Sequence, residues 1–183
     1  MNLLDLLPIA LVIVYVALGF FSGVVRRLIG IIGVYVSFLA ATNMGLQAGN
    51  LLQQSASLEI PDARIFGFFG ILFVVIIVVE GAAQLGQGAI KIEAIVLNRV
   101  LGVLVGLISA VLLSVVVTYE LEAAGNPFGG GALDLRQQQI RDAVKGSQLA
   151  VPMVKSIGKP IITIFQPVLP TDPQIYFSSS PVS

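Results

Sequence analysis

Four stretches of this chain are apolar enough and long enough to cross a bilayer: residues 6–21, 25–44, 65–85 and 100–119, of 16 to 21 residues each. At about 1.5 Å of rise per residue such helices reach roughly 24–31 Å, close to the depth of a hydrocarbon core. Glu80 is the one ionisable side chain well inside them, apart from Arg26 and Arg27 in the first turn of the second stretch. That pattern sets the fold class before any motif is read. It predicts an all-α integral membrane bundle of four transmembrane helices, with amphipathic connectors and an amphipathic C-terminal tail.

Composition narrows the chemistry. Only 11% of the residues are charged, against roughly 25% in a soluble domain. Ten basic and ten acidic side chains cancel, so no net field points to nucleic acid. The chain has no cysteine and no histidine. Disulfides, thiolate metal sites, Ser-His-Asp triads and His-Glu-x-x-His zinc sites are therefore excluded within it. No enzyme activity, metal or cofactor is implied. The first stretch carries Asp5 and no Lys or Arg before Arg26. It lacks the basic start of a signal peptide and reads as a retained helix.

Punctuation divides the chain into a four-helix transmembrane domain over 1–125, an amphipathic membrane-surface segment over 126–169 and a Pro/Ser-rich tail over 170–183. Pro8 falls in the first turn of the first helix, where its missing N–H costs little. The run Gly19-Phe20-Phe21-Ser22-Gly23 before Arg26-Arg27 predicts a tight helical hairpin. Residues 46–57 read as a short interfacial helix, and 89–97 as an amphipathic connector. Residues 133–145 place Leu133, Ile140 and Val144 on one helix face. Residues 151–167 are apolar but broken by Pro152, Pro160 and Pro167. They suit the membrane surface, or a place against the bundle, better than a fifth span. The tail over 170–183 reads as extended or disordered in isolation.

Charge sets an orientation. The connections after the first and third spans hold Arg26, Arg27, Lys91 and Arg99. The opposite side holds Arg64 near a span end, the tail's five cations lying farther along the chain. The positive-inside bias places both hairpin turns in the cytoplasm and both termini outside.

Three motifs together resemble the colicin V production protein (CvpA) family. They are an Asp near the start with Gly19-Phe20-x-x-Gly23-x-x-Arg26, then Asn98-Arg99-x-Leu101-Gly102-x-x-x-Gly106, then Ser147-Gln148-Leu149 followed by Pro152. Order and spacing agree from about Asp5 to Pro167. The chain departs from the family pattern at Asn98, often Asp, and at Ser109, often Arg. The resemblance implies a bacterial inner-membrane protein with about four spans, linked to colicin V production or export and to envelope homeostasis.

The candidate functional residues are few. Glu80 reads either as an intramembrane proton or cation site, or as a side chain that snorkels or pairs with Lys91 or Arg99. Gly102, Gly106 and Ala110 recur every fourth residue and form a stripe that admits another helix at close range. Gly19 and Gly23 serve packing or the turn. Arg26, Arg27, Asn98 and Arg99 should gather on one membrane face, as topology anchors or as contacts for anionic headgroups. Glu120 and Glu122 point to different helix faces and are not a catalytic pair.

Three functional classes follow from these residues. The first, implied by the resemblance, is a non-enzymatic accessory or scaffold factor for colicin V production or export or for envelope homeostasis, working with the lipid bilayer and a membrane-protein partner or further copies of itself. The second is a small transporter or channel with Glu80 in the path. The third is a structural subunit at the edge of a large energy-converting or photosynthetic membrane complex.

Overall fold

The computed structural model describes residues 2–85, 95–129 and 133–178. All regular structure among them is helical. Three helices are long and apolar enough to cross a membrane: α1 (Leu3–Ala56), α2 (Ile60–Leu85) and α3 (Ile95–Ala124). The shorter α4 (Leu135–Lys145), α5 (Ala150–Phe165) and α6 (Pro173–Tyr176) follow.

Helix α1 is two helical arms, 3–22 and 24–56, joined at Gly23, whose φ of 77° and ψ of 176° lie outside the helical region. Only glycine adopts that backbone at little cost. Contacts on either side show that the chain doubles back there. Leu3, Leu4 and Leu7 of the first arm line a crevice with Phe69 and Phe73 of α2. Gly45 of the second arm lies against the backbone of Phe68, one residue away. Positions about twenty residues before and after Gly23 therefore sit side by side. The expected hairpin is reduced to a single non-helical residue.

The arms differ in length. The first, at 20 residues, spans about 30 Å; the second, at 33, spans about 49 Å. The surplus is the segment over 46–56, which continues the second arm instead of forming a separate interfacial helix. It packs on the start of α2, where Gly49 meets the Ala63 carbonyl and Gly67 meets Gly45 and Gly49. This extension, the start of α2 and the segments α4 and α6 make a cap at the end of the bundle that carries the N-terminus.

The main core runs from Tyr15 through Val34, Phe38, Phe68, Leu113 and Val116 to Phe165, Tyr176 and Phe177. The last of these corrects the expectation of an extended tail. Residues 170–178 fold back, and Phe177 is fully buried between Phe68, Phe69 and Tyr176. Arg64 donates to the Tyr176 and Ser178 carbonyls and ties the segment to α2. Residues 89–94, part of the expected connector, lie outside the described residues.

Candidate functional site

The three sequence motifs meet in pairs, at opposite ends of the bundle. At the Gly23 end, Gly19 lies against the Gly102 backbone, and Gly106 lies against the Tyr15 carbonyl. Ala110, one turn farther along α3, is fully buried. No side chain intervenes at the glycine crossings, so the first arm and α3 touch backbone to backbone. Asn98 fills the space beside Gly23, and its Oδ1 accepts from the Val24 amide at 2.9 Å. Val24 opens the second arm, so Asn98 satisfies an amide that a helix start leaves unpaired. That duty requires an acceptor and no charge, and an Asp could also perform it.

One turn above this crossing is a buried charge cluster. Arg27 has no exposed surface. Its Nη2 donates to Glu80 Oε2 at 2.5 Å, and its guanidinium lies 5.6 Å from the Tyr15 ring centre. Arg26 donates to the Glu80 carbonyl at 3.2 Å. Glu80 therefore pairs with the second arm, not with Arg99; Lys91 lies outside the described residues. Arg99 is exposed and sits 5.3 Å from the Phe20 ring. The four polar residues expected on one membrane face share an end of the bundle, but Arg26 and Arg27 turn inward while Arg99 turns outward. The cause is Glu80: a carboxylate with one buried oxygen attracts the arginines that can reach it.

At the opposite end is a junction that the pattern of residues did not reveal. Asn2 and Asp5 form a capping box that starts the first arm. The same Asp5 carboxylate accepts from the Ser147 hydroxyl at 2.6 Å and from the amides of Gln148, Leu149 and Ala150. Leu149, the residue before α5, offers no side-chain cap. Asp5 supplies that cap from 145 residues away, and its charge suits the positive end of the helix dipole. Asp5 is fully buried, and these donors satisfy both of its carboxylate oxygens.

Two further features were not foreseen. Gly45 and Gly49, four apart on the second arm, seat α2 through Gly67; the Gly-x-x-x-Gly spacing is the signal that could have found them. Glu120 is fully buried in α3, and neither carboxylate oxygen has a hydrogen-bond partner among the described residues.

The sequence pattern of the family described as colicin V production protein matches residues 4–158. The chain belongs to that family. Comparison with curated proteins and with solved structures gives no match. The matched region contains both motif junctions of this colicin V production family member, from Asp5 to Ala150. It stops before Phe165, Tyr176 and Phe177, which complete the core.

Proposed function

We propose that this chain is a multi-pass membrane protein of four crossings, the two arms of α1 counted separately, that serves colicin V production or export as a non-enzymatic scaffold. One observation supports this above the others. The family's motif residues hold helices together: Gly19 and Gly23 on Asn98 and Gly102, and Asp5 on Ser147 to Ala150. Family membership supports the link to toxin production, and the exposed apolar surface of the long helices supports a bilayer around them.

A transport reading is favoured by Glu80, whose second carboxylate oxygen is buried without a hydrogen-bond partner among the described residues. The test is colicin V output from a deletion strain complemented with the double variant Arg27→Leu/Glu80→Leu. Replacing a buried ion pair by apolar residues is often neutral for stability. The scaffold reading expects output like the parent at equal membrane abundance. Lost output at equal abundance would favour transport through Glu80.

A further inference from the structure

Helix α5 crosses the bundle instead of running along it. Its first residue, Ala150, donates to Asp5, 18 residues before Gly23. Its last, Phe165, packs on Phe38, 15 residues after Gly23. Along the arms those anchors differ in height by about three residues, or roughly 5 Å. The helix between them has 16 residues and is about 24 Å long. It therefore lies nearly perpendicular to the long helices, at the depth where the first arm starts.

Its side chains fall into three sectors. Ala150, Val151, Gly158 and Phe165 are buried against the bundle, with Gly158 beside Val115 of α3. On one flank are Met153, Ile157, Pro160 and Ile164, of which Ile157 and Ile164 are 41% and 61% exposed. On the other flank are Pro152, Lys155, Ser156, Lys159 and Thr163, all exposed. This flank holds two cations one turn apart and no acid. Neither lysine forms an ion pair among the described residues. The flanks are also oriented. Thr163 lines a cleft with Tyr119, Thr171 and Pro173, so the cationic flank looks towards the cap. The apolar flank looks the other way, along the long helices.

We propose that α5 is an interfacial helix that binds anionic phospholipid, with Met153, Ile157 and Ile164 among the acyl chains and Lys155 and Lys159 on the headgroup phosphates. Apolar and cationic flanks on a helix lying in the plane are the features that such binding requires. Asp5 fixes the depth by holding the helix start. The inference rests on the reading that the long helices cross a bilayer.

The chain has no tryptophan, so a single introduced one reports its own surroundings. The full-length variants Ile157→Trp, Ile164→Trp, Ser156→Trp and Ile77→Trp are reconstituted in phosphatidylcholine vesicles containing a minor share of phosphatidylglycerol. Bromine is placed on the acyl chains of one lipid or the other. With brominated phosphatidylcholine, the probes at positions 157 and 164 should be quenched and the one at 156 should not. With bromine only on phosphatidylglycerol, quenching at 157 should exceed the share of that lipid. Each lysine is worth about a fivefold enrichment, which Lys155→Gln/Lys159→Gln should remove. An unquenched probe at 157 beside a quenched one at 77 would mean that protein or water covers this face, and the proposal fails. Absent enrichment, or enrichment that survives the double variant, overturns the anionic preference. An unquenched probe at 77 overturns the bilayer reading itself, and the α5 proposal with it.

Discussion

Asp5 offers the sharpest test of how the two ends of this chain are joined. Its Oδ1 accepts from Ser147, Gln148, Leu149 and Ala150, and its Oδ2 accepts from Asn2 and again from Gln148. Asp5→Ala removes every one of these acceptors. A hydrogen bond to a charged group contributes about 1.5–3 kcal/mol. The bonds share one helix start, so they do not add in full. Discounted for that overlap, the group of bonds is worth about 3–5 kcal/mol. Even the lower figure favours opening by about a hundredfold, at 1.4 kcal/mol per factor of ten. Amide hydrogen exchange over 147–151 in the reconstituted protein reads that opening directly. It should accelerate by about that factor, with α2 little changed. Asp5→Asn should lie between. Its carbonyl can serve at Oδ1, but its amide nitrogen then faces two N–H donors at Oδ2. If Asp5→Ala leaves exchange over 147–151 at the parental rate, water or a neighbour replaces the carboxylate, and the latch carries none of the stability assigned to it.

The remaining predictions concern the other end and the orientation. Gly106→Leu forces a side chain into the Tyr15 carbonyl and should cost about 1–3 kcal/mol or more, seen as reduced membrane abundance. Val103→Leu, half-buried on a neighbouring face, is the mild control, and equal abundance of the two variants would refute the backbone contact. Glu80→Gln alone leaves Arg27 buried without its charge partner and should destabilise by about 3–5 kcal/mol. Arg27→Leu/Glu80→Leu should recover most of that loss in a thermal-stability assay in detergent, and additive losses would contradict the pairing. A fusion at Ser183 should be active for a periplasmic reporter. Helix α5 does return Lys155 and Lys159 to the side of the termini, which narrows the charge difference. Arg26 and Arg27 leave the ribosome first, however, and the first helices usually set the orientation. Activity of a cytoplasmic reporter alone would reverse the assignment.

What was legible in the sequence was periodic or compositional. Runs of Leu, Ile and Val mark the long helices, and Gly102, Gly106 and Ala110 mark a close crossing by spacing alone. Gly23 marks the turn because no other residue tolerates its backbone. Partners distant in sequence were not legible. Asp5 and Ser147 are each ordinary capping residues, and nothing local says that one serves the other's helix. Glu80 could be seen as costly in lipid, but nearness along the chain pointed to Lys91 or Arg99 and gave no sign of Arg27, 53 residues earlier. The prolines misled in one respect. Pro152 falls in the first turn of α5, where no intrahelical N–H bond is lost, and the helix continues through the interior Pro160 because its apolar face is packed on the bundle.

The tail shows why burial is harder to read than span length. Tyr176 and Phe177 stand among Pro, Asp, Gln and Ser, a composition that suggests a solvated end. They fold back because the second arm and α2 present Gly45, Phe68 and Phe69, where Tyr176 and Phe177 pack edge-on to Phe68 and Phe177 stacks on Phe69. Arg64 supplies the donors that the returning backbone requires. The exposed partner surface thus exists only after the two arms have folded back at Gly23 and α2 has docked on Gly45 and Gly49. The tail's structure is a consequence of the bundle's shape, to which its own residues add two aromatic side chains and the Asp172 cap of α6.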